Sequence, residues 1–277
     1  MASIGYLVMV PRVRAFSELQ IRPDALLDAE LALQAFRRLP DHPPGSSIDV
    51  MSISFGSALA IHLASHQELK RHVRRVVAYG GFYDWEATMR FALSGRANDA
   101  HDPLNRPVVY LNLLEEFAID HETRTELKAA WTEFCRLTWG REEMKTQNVH
   151  RKVANDLAER LHPDAQDLFL EGCNASRATD RSQERCLEAL RTGDFRWLDL
   201  HAKCAQIRSP VTIIHGRSDD VIPHTEAERL SEAIGTGATT ELLITGLYAH
   251  TKSDIPQRSN RLQEWRMILR ILGALLG

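Results

Sequence analysis

Short apolar runs alternate with longer amphipathic segments near both ends of this chain. The runs that are typical of β-strands are Ile4–Val10, Ile48–Ile53, Val73–Tyr79, Val211–Ile214 and Thr240–Ile244. The segments whose apolar residues recur at helical spacing are Pro23–Arg38, Ala58–Leu69, Thr225–Ile234 and Asn260–Leu276. Strands that alternate with helices in this way predict an α/β fold, with a mostly parallel sheet flanked by helices.

The middle of the chain has a different pattern. Strand-like runs are scarce from Trp85 to Asp199, and the helical segments there are Val108–Ile119, Glu122–Thr138, Val149–Leu161 and Gln183–Leu190. The two α/β parts on either side are each too small to bury a core alone, so we expect them to form one domain. The pattern predicts an α/β core from residues 1–84 and 200–277 with a helical cap insertion over 85–199. Two independent domains are the alternative.

Composition narrows the class of protein. The chain has 277 residues, of which 44% are hydrophobic and 26% charged, and its formal net charge is −3. This balance is ordinary for a globular protein with a full core, and it gives no reason to expect a nucleic-acid partner. No apolar stretch is long enough to span a bilayer, and the first apolar run lacks the features of a signal peptide. Four widely spaced cysteines without a CxxC pair predict reduced thiols in the cytoplasm and no metal site.

One serine lies where a strand changes into a helix. Ser54 follows the strand Ile48–Ile53 and precedes a helical segment, in Ser52-Ile53-Ser54-Phe55-Gly56. A tight turn at this point lifts a hydroxyl out of the sheet, and it requires small side chains such as Gly56 nearby. The following helix presents its positive N-terminal end, so the Phe55 N–H is the expected oxyanion donor. Ser54 is therefore the candidate nucleophile, and an ordinary turn with a capping serine is the structural alternative.

Aspartates follow two of the predicted strands. Asp219 ends the segment His215-Gly216-Arg217-Ser218-Asp219, directly after a buried strand. A carboxylate there can accept the Nδ1–H of a histidine and stabilise the imidazolium. We prefer Asp219 to its neighbour Asp220, which the turn before Pro223 should direct outward. Asp84 follows the strand next to the serine strand and is the reserve acid.

His250 is the candidate base. It comes after the last predicted strand, and the chain between Asp219 and His250 has room for one helix and one strand. That connection returns the chain to the same edge of the sheet. A surface histidine is the structural alternative. His215, at a strand end, is expected to have a structural hydrogen-bonding role.

These pieces resemble the α/β-hydrolase superfamily. The matching segments are the Ser52–Gly56 motif, the stretch Ser209–Pro223, and Leu247-Tyr248-Ala249-His250. The resemblance covers Ile4–Leu276 apart from the helical middle. It implies that Ser54, Asp219 and His250 form a catalytic triad, and that the chain cleaves esters, thioesters, amides or related bonds without a cofactor or a metal.

The resemblance also has consequences for the sheet. Ile4–Val10 resembles the family's fourth strand, so three strands and the loop that supplies a second oxyanion N–H are expected to be absent. Loss of one such donor costs about 2.7–4 kcal/mol of transition-state stabilisation. Ile4–Val10 would then either shift sideways to pair with Ile48–Ile53 or leave an open apolar sheet edge, which invites pairing with another chain. We therefore expect either a homodimer that covers this edge or an N-terminally shortened gene product.

Three functional hypotheses follow. The first is an esterase-like serine hydrolase that acts on a small-molecule acyl substrate, with its specificity set by the cap. The second is a catalytically weak or inactive α/β-hydrolase-fold protein that binds a ligand or a partner, which the missing oxyanion donor favours. An acyltransferase would use the same residues as the hydrolase.

Overall fold

The computed structural model describes residues 2–94, 102–145, 149–176, 180–235, 237–246 and 261–276. The chain divides into two compact units. The first is formed by Met1–Arg14, Arg22–Trp85 and Trp197–Gly277, and the second by Ala15–Ile21 and Glu86–Arg196.

The described residues of the first unit contain a four-stranded sheet. Its strands are β1 (Ile48–Ile53), β2 (Val73–Tyr79), β3 (Val211–Gly216) and β4 (Thr240–Thr245). They lie in the order β1-β2-β3-β4, and each neighbouring pair is parallel. The predicted parallel sheet is confirmed, and its strands begin where the apolar runs begin.

Helices lie between the strands, as the alternating pattern predicts, and the middle of the chain contains further helices. In chain order they are α1 (Arg14–Ser17), α2 (Asp24–Arg37), α3 (Gly56–Ser65), α4 (Trp85–Ser94), α5 (Asn105–Leu113), α6 (His121–Thr138), α7 (Glu142–Lys145), α8 (Val149–Ala158), α9 (Pro163–Gly172), α10 (Asp180–Thr192), α11 (His201–Cys204), α12 (His224–Gly235) and α13 (Arg261–Leu276). Short 3-10 helices occupy Ala2–Ile4, Lys70–His72, Leu114–Glu116 and Arg196–Leu198.

Both faces of the central strands, β2 and β3, are covered. On one face, α13 packs against strand residues through a cluster that includes Val77, Ile214, Leu243 and Ile271. Strand residues alternate between faces, so Ala78 and its neighbours in register point the other way, and they are buried as well. Coverage of both faces explains why these strands read as continuous apolar runs.

The prediction of a strand at Ile4–Val10 is wrong. Ala2–Ile4 forms a 3-10 helix, Gly5 turns the chain at φ +94°, and residues 6–13 have no strand or helix before α1. Val10 is 88% exposed. An apolar run becomes a strand only where a partner accepts its backbone hydrogen bonds, and this segment pairs with no strand of the described sheet.

The second unit has a helical core centred on Trp131. The Trp131 ring is fully buried, and its Nε1–H donates a hydrogen bond to the Phe169 carbonyl at 3.2 Å. Gly172 of α9 lies so close that an added Cβ would be 2.6 Å from the ring. Helices α6 and α9 therefore approach each other only because residue 172 has no side chain.

No helix in the described part of the chain is both long and apolar enough to cross a bilayer.

Candidate active site

Ser54 lies at the strained turn that the sequence predicts. Its φ of +57° places a non-glycine residue in the left-handed region, directly after β1 and before α3. The Ser54 N–H donates to the Tyr79 carbonyl at the end of β2 at 2.7 Å, and the Ser57 N–H donates to the Ser54 carbonyl at 3.0 Å. Such strain is retained where the surrounding structure holds it, and it concentrates at functional sites.

The tight packing around this turn lies elsewhere than expected. An added Cβ at Gly56 would meet the Cβ of Ser52 at 3.8 Å, which is an ordinary contact. The close approach is at Gly81, after β2, where an added Cβ would lie 2.7 Å from the Cβ of Ser57. Ser57 is fully buried. The small residues that this turn requires are therefore Ser57 and Gly81, and sequence reasoning did not predict the contact between them.

Phe55 begins the helix that follows the turn. No acceptor within the described residues takes a hydrogen bond from its backbone N–H, which stands at the positive end of α3. The Phe55 ring packs at 5.4 Å from the ring of Phe82 and at 5.8 Å from that of Trp85, both of which are buried. The N–H is available to an anion, and an aromatic cluster lies beside it.

Asp219 is held rigidly after β3. One oxygen of its buried carboxylate accepts hydrogen bonds from the backbone N–H groups of Val221 at 2.9 Å and Ile222 at 2.8 Å. Asp220 is less buried than Asp219 as a whole residue, but its Oδ1 atom is buried, so the predicted outward direction of this side chain is not confirmed. A carboxylate fixed by two backbone donors keeps its orientation without movement of the turn.

His215 supports the same turn. Its Nε2–H donates to the Ile222 carbonyl at 2.9 Å and lies 3.3 Å from Oδ2 of Asp219. The Ile222 carbonyl can only accept, which places the ring proton on Nε2, and within the described part of the chain the buried Nδ1 has no hydrogen-bond partner. His215 therefore has the structural hydrogen-bonding role that its position at a strand end predicts.

The strand order brings Ser54 and Asp219 to one edge of the sheet. Both follow the carboxyl ends of parallel strands, β1 and β3, which flank β2. With strands spaced about 4.8 Å apart, the two chain segments are separated by about 10 Å at this edge. The adjacent strand β4 also ends here, at Thr245. His250 lies outside the described residues, and no described side chain hydrogen-bonds to the Ser54 hydroxyl.

The reserve acid Asp84 has a partner on α12. Its carboxylate accepts from Nη2 of Arg229 at 3.1 Å, and both side chains are partly exposed. The Asp84 backbone N–H donates to the Glu226 carboxylate at 2.7 Å. These contacts give the loop after β2 a fixed attachment to α12.

Glu226 is a residue that sequence reasoning missed. It is 3% exposed and accepts hydrogen bonds from the backbone N–H groups of Tyr83 and Asp84, while Arg229 donates to its other oxygen at 2.9 Å. The sequence could have indicated this burial, because Glu226 lies four residues before Leu230 and so on the same, buried face of α12. An acidic residue on an apolar helix face needs a buried donor.

The cysteines are excluded as alternative nucleophiles. All four are buried free thiols. Burial raises the pKa of Cys135, Cys186 and Cys204 to about 12, and it raises the pKa of Cys173 well above its usual value. The reactive form is the thiolate, which is rare at such pKa values. Among the described residues, no group of three His, Cys, Asp or Glu side chains could hold a metal ion.

Comparison with known proteins found no matching family model and no matching curated protein. Solved structures do match. An uncomplexed acylaminoacyl peptidase from Pyrococcus horikoshii is 11% identical with a TM-score of 0.45, over 91% of this chain and 27% of the peptidase. An esterase from Pyrococcus furiosus is 12% identical with a TM-score of 0.43, over 90% of this chain and 60% of the esterase.

Acetyl xylan esterase 1 from a Thermoanaerobacterium species is also similar. It is 15% identical with a TM-score of 0.40, over 96% of this chain and 60% of the esterase. This chain thus spans about a quarter of the peptidase and 60% of the two esterases. All three TM-scores are below 0.5, which is too low for the likeness to say what this chain does.

Proposed function

We propose that this chain is a serine hydrolase of the α/β-hydrolase type that cleaves a carboxylic ester or a related acyl bond. The observation that carries the proposal is the left-handed backbone of Ser54 at the end of a parallel strand. A serine in this conformation costs on the order of 1–3 kcal/mol, which a merely structural turn would avoid by using glycine. The strain raises the hydroxyl above the sheet edge.

The Ser54 hydroxyl oxygen attacks the acyl carbon, and His250 takes the hydroxyl proton. The Phe55 N–H, at the positive end of α3, donates a hydrogen bond to the carbonyl oxygen and stabilises the negative charge that develops there. The leaving alcohol departs with the proton from His250, and an acyl group remains on Ser54. Water then attacks this ester and His250 takes a proton from the water. The bond between the acyl carbon and the Ser54 oxygen breaks, His250 returns the proton to that oxygen, and the carboxylic acid leaves.

Asp219 is the acid of this proposal because its carboxylate is oriented by two backbone N–H groups at the sheet edge. In that role it accepts a hydrogen bond from His250 and stabilises the imidazolium. Asp84 remains the reserve. Its pairing with Arg229 gives its carboxylate a structural task that Asp219 does not share.

A series of p-nitrophenyl esters of increasing acyl length tests the proposal. Ser54→Ala and His250→Gln should each abolish hydrolysis above background. Asp219→Asn should lower kcat by up to about 10⁴-fold, since the amide still accepts the backbone hydrogen bonds but carries no charge. Asp84→Asn is the matched control and should retain kcat. Equal losses in the two aspartate variants would contradict the choice of acid.

The second candidate is a catalytically weak protein of the same fold that binds a ligand. It is favoured by the oxyanion site, because the Phe55 N–H is the one such donor identified among the described residues at this edge. For this candidate, hydrolysis by the folded wild type would not exceed that of Ser54→Ala with any ester of the series.

A further inference from the structure

A surface pocket lies at the opposite end of the sheet from Ser54. It has a volume of about 340 Å³ and is formed by the end of α2 and the segment between α3 and β2. β2 begins at Val73, directly after the pocket, and the carbonyl of its last residue, Tyr79, accepts a hydrogen bond from the Ser54 N–H. The 7 residues of β2 span about 20 Å, so the pocket is separate from the candidate active site.

Positive charge dominates this pocket. The polar side chains that line it are Gln34, Arg37, Arg38, Glu68, Arg71 and His72. In the part of the chain that the structure describes, none of the three arginines forms an ion pair with a carboxylate, although Glu68 lines the same pocket. The next two arginines along the chain, Arg74 and Arg75, both pair with Asp49. The pocket therefore gathers guanidinium groups that no described carboxylate neutralises.

These charges come together from two segments of the chain. Burial lowers the pKa of His72 below its usual value, and the positive charges of Arg37 and Arg71 lower it further. Nε of Arg71 also donates a hydrogen bond to Nε2 of His72 at 3.2 Å. Arg37, at the end of α2, and Arg71, after α3, therefore act on the same imidazole.

The dipole of α2 explains only part of this cluster. Arg37 is the last residue of α2 and Arg38 is its C-cap, where a helix favours cations. Arg71 belongs to a different element, the 3-10 helix Lys70–His72. Like charges around one pocket repel one another and oppose folding unless an anion lies among them. The arrangement therefore indicates a site for an anion.

The donors in the pocket favour a phosphate group. A guanidinium presents paired, coplanar N–H donors that match two oxygens of a phosphate. A phosphate monoester carries a charge of about −1.5 to −2 at neutral pH, so one group offsets most of the charge of the cluster. A volume of about 340 Å³ is at the small end of ligand clefts, which suits a small phosphorylated molecule.

We propose that this pocket binds the phosphate group of a small phosphate monoester. Arg37, Arg38 and Arg71 donate hydrogen bonds to the phosphate oxygens, and the Glu68 carboxylate limits the affinity by repulsion. The site uses no residue of the proposed triad, so it does not depend on the chain being a hydrolase.

Calorimetric titration with inorganic phosphate at low ionic strength tests the site. The wild type should bind phosphate saturably, and Arg71→Gln should weaken binding about tenfold or more, because it removes a charged hydrogen-bond donor. Arg151→Gln removes the same charge at an exposed position on α8 and should bind as the wild type does. No saturable binding to the wild type, or equal weakening by the two substitutions, overturns the proposal.

Two further measurements locate the bound ion. Glu68→Gln should bind phosphate more tightly than the wild type, because it removes a negative charge from the pocket. Bound phosphate should raise the pKa of His72, followed by proton NMR and assigned with His72→Gln, because an anion favours the imidazolium. Ser54→Ala should bind phosphate as the wild type does. Phosphate binding that leaves the pKa of His72 unchanged would place the ion elsewhere and contradict the proposal.

Vesicles of phosphatidylcholine and phosphatidic acid distinguish the source of the phosphate, because phosphatidic acid carries the same monoester group on a membrane. The account expects the protein to bind inorganic phosphate and to remain in the supernatant when the vesicles are sedimented. Sedimentation with the vesicles that is lost in Arg71→Gln, without saturable binding of inorganic phosphate, would assign the arginines to a lipid surface and overturn the proposal.

Discussion

The Glu226 carboxylate accepts a hydrogen bond from the backbone N–H of Asp84 at 2.7 Å. This contact fixes the loop after β2 to the helix after β3, at the sheet edge where Ser54 and Asp219 also lie. A buried acidic residue is therefore used to satisfy backbone donors of a loop beside the proposed site.

Glu226→Ala should lower the free energy of unfolding by about 2–3 kcal/mol, because it leaves the N–H groups of Tyr83 and Asp84 without an acceptor. Urea unfolding followed by circular dichroism measures this change. Glu228→Ala is the control, since Glu228 is exposed on the same helix and its loss should change stability by less than about 0.5 kcal/mol. If the two substitutions changed the free energy of unfolding equally, the attachment of the loop to α12 would contribute nothing to stability.

Gly81→Ala should destabilise the fold by about 1–3 kcal/mol, because the new methyl group would overlap Ser57 on α3. Gly56→Ala is the comparison, since its methyl group would make only an ordinary contact with Ser52. Thermal unfolding of both variants measures the difference. If Gly56→Ala lost more stability than Gly81→Ala, the tight contact would lie at Gly56, which would contradict the account.

Ser54→Gly should raise the free energy of unfolding by about 1 kcal/mol relative to Ser54→Ala. Glycine adopts a φ of +57° without the strain that any Cβ imposes, and this gain exceeds the extra entropy of the unfolded glycine chain. Chemical denaturation of the two variants compares them directly. Ser54→Ala being the more stable variant would show that the turn is not strained.

Asp49 should make the stability depend on pH. Burial alone would raise its pKa, but hydrogen bonds and charges from Arg74 and Arg75 outweigh burial and hold the pKa below its usual value. The contribution is therefore present above the unfolded pKa of about 3.9, and it is lost as the pH falls through the folded pKa.

Asp49→Asn should accordingly be less stable than the wild type at neutral pH, with the difference disappearing on acidification. Stability measured by urea unfolding between neutral and acidic pH tests this dependence. Asp41→Asn, at an exposed position before β1, is the control and should follow the wild type. A difference between wild type and Asp49→Asn that grows at low pH would contradict the sign.

The pattern of apolar runs was enough to predict the four strands found in the described residues. The central strands β2 and β3 are mostly buried, and β1 and β4 lie beside them. The same reasoning failed at Ile4–Val10, where an apolar run pairs with no strand of the described sheet. The spacing of apolar residues shows which side chains a segment could bury. Whether the segment forms a strand depends also on a neighbouring strand that accepts its backbone hydrogen bonds.

The site was predictable only in part. Ser54 and Asp219 follow strand ends, so their common edge could be inferred from the order of elements. Glu226 and the contact between Ser57 and Gly81 could not, because each depends on distances between segments far apart in the chain. Helix α9, at Pro163–Gly172, was also not predicted, since the sequence analysis identified no helical segment between Leu161 and Gln183.

Labelling with a fluorophosphonate probe, read by intact mass and peptide mapping, tests the central claim most directly. The account predicts a single adduct on Ser54 of the folded wild type, the same adduct in Ser52→Ala, and none in Ser54→Ala. A folded wild type that takes no label, or a Ser54→Ala variant that is labelled as strongly as the wild type, would contradict it.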